Sequence, residues 1–194
     1  MSSNKNQRTI TSLVQDRPGV LSRISGLFRR RGFNIASLAV GSSEEPGLSR
    51  MTFVVEGSAT SLKSVAEQLD KLIEVVEAKD ITDKNIVWRE LALIKVSSNE
   101  KTRSEILDLA KIFRVNIIDI GVSSLTMEIT GGKEKIDSLI ELLRKFDIKE
   151  VIRTGRVATL RGTLIEGRPD GEYKSHSGAN IQNDSEEIYE SGSV

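Results

Sequence analysis

Two rhythms of apolar residues alternate along this chain, and the switches between them lay out its elements. Residues Thr9 to Gln15 follow the period-two pattern of a strand, and after a polar turn Val20, Leu21, Ile24, Leu27 and Phe28 recur at helical spacing. Carried on, the pattern predicts strand 8–15, helix 19–31, strand 33–42, strand 48–56, helix 60–71 and strand 73–82. A second series follows: strand 90–97, helix 100–113, strand 115–121, strand 123–130, helix 133–145 and strand 148–157. Ser42 to Gly47, rich in Ser, Glu, Pro and Gly, reads as the hairpin between the middle strands of the first series. The second series carries Ile106, Leu109, Ala110 and Phe113, then Ile136, Leu139, Ile140 and Leu143, each set forming one apolar helix face.

Both series have the order βαββαβ, and they align at a constant offset. Asn34 matches Asn116, giving 116 − 34 = 82, and the same offset joins Ile24 to Ile106, Leu27 to Leu109 and Phe33 to Val115. This is a degenerate internal repeat. The fold class it predicts is α+β: two ferredoxin-like βαββαβ domains in tandem, each an antiparallel sheet with its helices on one face. The domains run 1–84 and 85–162, followed by a polar tail over 163–194. Gly, Ser, Asn, Asp and Glu dominate that tail, and its isolated Ile and Tyr bury too little area to offset ordering entropy, so it is expected to be disordered.

Composition narrows the function. Lys plus Arg equal Asp plus Glu at 28 each, so no global field favours nucleic acid or an anionic membrane. The chain has no cysteine, which excludes disulfides and thiolate chemistry. No apolar run nears the roughly 20 residues that span a bilayer. The stretch before the first strand is too short and polar for a leader, so a cytoplasmic protein is expected. RNA-binding domains of this topology stack bases on strand aromatics, whereas Leu13, Val14, Phe53 and Val54 supply one Phe. His176, the only histidine, lies in the tail without a nucleophile or ligand set beside it. Thr130-Gly131-Gly132-Lys133 lacks the full phosphate-loop spacing and reads as a tight turn, and Arg29-Arg30-Arg31 as a solvated helix end. Trp88, between the halves, reads as a packing or partner contact. Catalysis by this chain alone is not expected.

Chemistry concentrates instead at Asp16-Arg17-Pro18-Gly19-Val20-Leu21 and at Asn34-Ile35. The first is a strand-to-helix turn. Asp16 stands at or beside the N-cap, Pro18 suits the first turn, and Gly19 lets a ligand approach amide N–H groups at the positive helix end. Such an end attracts a carboxylate, Asp16 suits an ammonium, and Asn34 offers both a donor and an acceptor. The two segments read as opposite sides of a site for a free amino acid. The second copy has Ser97-Ser98-Asn99-Glu100-Lys101 at the matching turn, capped by Ser or Asn and without Pro-Gly, so it is not a second such site.

The run Asp16-x-Pro18-Gly19-x-Leu21-x-x-Ile24 with Gly32-Phe33-Asn34-Ile35 resembles the ACT domain, a family of amino-acid-sensing modules attached to metabolic enzymes. Arg31 to Leu38, Glu45 to Thr52, Phe113 to Ile120 and Arg153-Thr154-Gly155 resemble, more narrowly, the small regulatory subunits of acetolactate synthase, over about residues 8 to 162. That resemblance implies an effector site of Asp16, Pro18, Gly19, Val20, Leu21, Asn34 and Ile35 that takes valine between two chains. It implies a homodimer through the N-terminal domains, and a C-terminal domain that meets a large catalytic subunit. The catalytic subunit would hold thiamine diphosphate, Mg²⁺ and FAD, with no cofactor on this chain. The small subunit would raise its partner's activity and relay feedback inhibition in branched-chain amino-acid biosynthesis. The competing expectation is a free-standing amino-acid sensor without an enzyme partner.

Overall fold

The computed structural model describes residues 7–58, 62 and 64–162 of the 194. The first half comprises β1 (Gln7–Gln15), α1 (Val20–Arg31), β2 (Asn34–Ser42), β3 (Leu48–Glu56), α2 (Val65–Leu69) and β4 (Val75–Asp80). The second comprises β5 (Ile86–Ser97), α3 (Arg103–Phe113), β6 (Asn116–Ile120), β7 (Ser124–Gly131), α4 (Lys133–Leu143), a 3-10 turn (Arg144–Phe146), β8 (Ile148–Arg153) and β9 (Val157–Leu160). Each half forms one antiparallel sheet, in the orders β2-β3-β1-β4 and β6-β7-β5-β8, with β9 on β5. The chain is thus α+β, with ACT-like βαββαβ halves.

Alternation along the strands decides which face the helices cover. Ile10 and Val14 of β1 and Met51, Phe53 and Val55 of β3 turn to one side, where Val20, Ile24, Leu27 and Phe28 of α1 and Val65 and Leu69 of α2 meet them. Phe28 sits edge-on to Phe53 and Phe33, with ring centroids 5.3 and 6.0 Å apart. In the second half Ala92, Ile94, Val96, Leu125, Met127 and Ile129 face Ile106, Ile136, Leu139 and Leu143.

The backbone repeats more closely than the side chains do. Strand pairing slips between Ile35 and Ser37 in β2, and at the same place, between Ile117 and Asp119, in β6. It slips again between Leu13 and Val14 against β4, and between Lys95 and Val96 against β8. Both α1 and α3 end in a left-handed residue, Gly32 at φ 70° and Arg114 at φ 53°. The next amide then reaches back five residues, Phe33 N–H to Phe28 O at 3.0 Å and Val115 N–H to Ala110 O at 2.9 Å.

Three expectations change. The predicted strand 148–157 is two strands, because Thr154 and Gly155, the latter at φ 78°, interrupt it before β9 resumes along β5. β5 accordingly begins at Ile86 and not at 90, since its first residues serve β9. The helix predicted from 60 is described as an α-helix over Val65–Leu69, and its expected start falls partly on residues outside the described set. The tail 163–194 also lies outside the described residues. Among the described residues no helix is long and apolar enough to cross a membrane.

Candidate functional site

The exit of β1 is clamped from both sides. Gln15 N–H donates to Glu74 O (2.9 Å) at the entrance of β4, and Asp16 N–H donates to Gly47 O (2.8 Å) in the β2–β3 hairpin. Glu74 is buried and its Oε1 pairs with Arg23 Nη1 of α1 at 2.8 Å, so three elements fix where the turn begins. The chain then swings through Arg17 and Pro18 to Gly19, the N-cap of α1, at φ 91°. Among the described residues no side chain caps this helix end, and no acidic residue lies in its first turn. Arg23 N–H to Gly19 O (3.0 Å) is a regular helical bond, whereas Val20 N–H is 3.5 Å from Arg17 O. A Cβ on Gly19 would meet nothing within 4 Å among the described residues. The result is an exposed, uncompensated positive helix end, the local electrostatics of an anion site.

The expected cap is therefore corrected. Asp16 does not cap α1, because Arg17 and Pro18 separate it from the N-cap, Gly19, and its side chain is exposed. Pro18 lies in the turn and not in the helix. Val20 is buried in the core, which leaves only its backbone for a ligand, while Leu21 is half exposed beside the turn.

Asn34 opens β2 at the other end of the sheet. Its Nδ2 donates to Glu56 Oε2 (3.0 Å), and Gln7 Nε2 donates to Glu56 Oε1 (2.6 Å). These two donors, Gln7 first, hold the Glu56 carboxyl below the usual carboxylate range. Ile35 packs against the core. The register sets Asn34 and Gln7 level with Glu56, whereas Gln15 is level with Leu48, eight residues along β3. At about 3.3 Å per residue the two ends lie roughly 26 Å apart. Within one chain the turn and Asn34 do not line one site; Asp16, Pro18, Gly19, Val20 and Leu21 come together, and Asn34 and Ile35 do so separately.

The corresponding turn of the second half is closed by its own side chains. Asn99 Oδ1 accepts the N–H groups of Lys101 and Thr102, both at 3.0 Å. Arg103, which replaces Leu21 in the repeat, donates from Nη2 to Gly121 O (2.9 Å) and Val122 O (3.1 Å) and from Nε to Ser98 Oγ (3.2 Å). Arg23 and Glu74, which brace the open turn, were not legible as site residues. A lone Arg on a helix and a lone Glu before a strand carry no signal until the sheet brings them together.

Tandem βαββαβ sheets whose first copy keeps an open, glycine-capped helix end define a protein of the ACT-domain class. A family model described as "AHAS small subunit-like ACT domain" matches residues 10–77, and one described as "Small subunit of acetolactate synthase" matches residues 89–162. The chain belongs to the acetolactate synthase small-subunit family. It is 49% identical over 156 residues to a probable acetolactate synthase small subunit of Archaeoglobus fulgidus, covering 80% of this chain and 98% of the relative. It is 44% identical over 162 residues to the acetolactate synthase small subunit of Mycolicibacterium smegmatis, covering 84% and 95%. The crystal structure of the small subunit from Thermotoga maritima superposes with a TM-score of 0.74 at 41% identity, covering 80% of this chain and 97% of that one.

Proposed function

We propose that this chain is the regulatory subunit of an acetolactate synthase: it binds and activates a large catalytic subunit and makes that partner sensitive to valine. The observation that carries this reading is the asymmetry between the two turns, one open at Gly19 and the other closed by Asn99 and Arg103. A free amino acid presents a carboxylate to the open helix end and an ammonium to Asp16 or to Asn34 Oδ1.

The 26 Å gap between those groups is bridged by two copies. β2 is an edge strand of nine residues, Asn34–Ser42, that carries no charge and no proline, whereas the opposite edge, β4, carries Glu77, Lys79 and Asp80. Antiparallel pairing of two β2 edges about a two-fold axis sets the Asn34 end of one chain beside the turn end of its partner. A ligand held between chains is sensitive to the angle between them, and valine shifts the population by its difference in affinity for the two arrangements, typically about 1 to 3 kcal/mol.

In this reading thiamine diphosphate, Mg²⁺ and FAD are held by the catalytic subunit, the second half contacts that subunit, and the complex works in the cytoplasm. The test is acetolactate formation by a matching catalytic subunit, with and without this chain and with and without valine. Stimulation by the chain and its reversal by valine are expected. An unchanged rate in every mixture would overturn the reading in favour of a free-standing sensor.

A further inference from the structure

Beyond β8 the chain leaves its repeat and touches the other half. Arg156 N–H donates to Ser37 Oγ on β2 at 2.8 Å, and Arg156 Nη1 donates to Thr9 Oγ1 on β1 at 2.8 Å. Thr9 is buried, 3% exposed, so this bond is shielded from water. The guanidinium lies over the Trp88 ring of β5, 4.4 Å from its centroid. Gly155, at φ 78°, makes the approach possible: a Cβ there would stand 2.4 Å from Ser37 Oγ and 3.5 Å from Leu38 N. The Trp88 ring also neighbours Gly132, the N-cap of α4, where a Cβ would stand 3.5 Å from its edge.

We propose that Arg156, held between Thr9, Ser37 and Trp88, is the positioning residue through which the first sheet, effector strand β2 included, moves the second half. This deepens the regulatory reading above and rests on it. Ser37 lies three residues beyond Asn34 and just past the slip in β2 pairing, so it sits on the strand whose edge the effector would engage. An apolar contact tolerates sliding, but hydrogen bonds weaken steeply once their geometry departs from the preferred range. A small rotation of the first sheet, which carries Thr9 on β1 and Ser37 on β2, therefore either takes Arg156 and Trp88 with it or breaks two bonds. That is the discrete, two-arrangement contact that coupling requires. Trp88 is the only tryptophan in the chain, so the emission of the small subunit reports the surroundings of this one ring.

The experiment uses the full chain with its catalytic subunit and two variants, Thr9→Val, which keeps the shape and removes the acceptor, and Arg156→Ala. Valine binding is measured by calorimetry on the small subunit, Trp88 emission is followed through the same titration, and acetolactate formation is assayed with and without saturating valine. In the unaltered chain valine is expected to change Trp88 emission. Both variants are expected to keep valine affinity within about twofold and to stimulate the catalytic subunit normally. The ratio of rates without and with valine should fall about fivefold, a loss at the low end of typical coupling. Should Arg156→Ala fail to fold, Thr9→Val carries the test by itself. Wild-type inhibition by valine in a folded Thr9→Val variant, or emission unmoved by bound valine, overturns the joint and leaves the regulatory reading standing. Absence of calorimetric binding to the unaltered chain overturns that reading and the joint with it.

Discussion

At the scale of single residues, two glycines with similar backbones have opposite surroundings. Gly19 and Gly155 are both left-handed, at φ 91° and 78°, yet a Cβ on Gly19 meets open space and one on Gly155 collides with Ser37. Gly19→Asp, in a residue type that tolerates this conformation better than most, should fold and place a carboxylate where the ligand's own belongs. Asn34→Ala removes hydrogen bonds of roughly 0.5 to 1.5 kcal/mol each. Both variants are expected to weaken valine binding, the first by tenfold or more (about 1.4 kcal/mol), while stimulation of the catalytic subunit persists. Calorimetry showing unaltered affinity in both would move the effector elsewhere. Asn34→Ala has a second readout through Glu56, whose carboxyl lies below its ordinary value because of Gln7 and Asn34. A depressed folded value stabilises the chain above the unfolded carboxylate range, and that contribution is lost as pH falls through the folded value. Carbon-detected NMR titration should find the Glu56 midpoint moved upward in Asn34→Ala, with a smaller acid loss of stability from this group that is complete at a higher pH.

At the scale of elements, the repeat makes its own control. Gly32 and Arg114 occupy the same position after their helices, and both are left-handed. Arg carries a penalty of roughly 1 to 2 kcal/mol in that conformation, offset in part by the greater unfolded-state freedom of glycine. Arg114→Gly is expected to raise stability by about 0.5 to 1 kcal/mol in urea unfolding, whereas Gly32→Arg should lower it. β2 supplies the second element-scale expectation. Val40 is half exposed on this uncharged edge. Lysine on an edge strand opposes pairing, so Val40→Lys should yield a folded monomer that binds valine poorly, read by light scattering and calorimetry together. A dimer with full affinity would place the subunit contact on another surface.

At the scale of the whole molecule, the described residues separate the open turn from the polar joint that links the halves. The open turn belongs to the first half, its repeat is sealed in the second, and Arg156 ties them. Residues 163–194 lie outside this arrangement in composition: Ile181, Ile188 and Tyr189 stand isolated among Asn, Asp, Glu and Ser. Removing residues 166–194 is expected to leave melting temperature, valine titration and stimulation of the catalytic subunit unchanged. A several-fold loss of stimulation at constant valine affinity would mark the tail as a docking segment, of which Glu186-Glu187-Ile188-Tyr189 is the natural core.

Periodicity alone determined the succession of strands and helices, the two sheets and the repeat, because each amphipathic element announces the face that it must bury. The glycine-opened turn was legible for a similar reason, since Pro18-Gly19 acts on the local backbone. Tertiary structure decided the rest. The division of β8 from β9 follows from where Leu91 and Thr154 bond, N–H to Oγ1 at 3.1 Å, which no local pattern encodes. The bracing of the turn by Arg23 and Glu74 spans half a domain. The separation of Gly19 from Asn34 begins with α1, whose 12 residues rise about 1.5 Å each and return the chain to the other end of the sheet, and strand register sets its full extent. Hydrophobic alternation specifies which face a strand buries; how far along its neighbour it lies, and so which residues can share a ligand, is fixed only when the strands are paired.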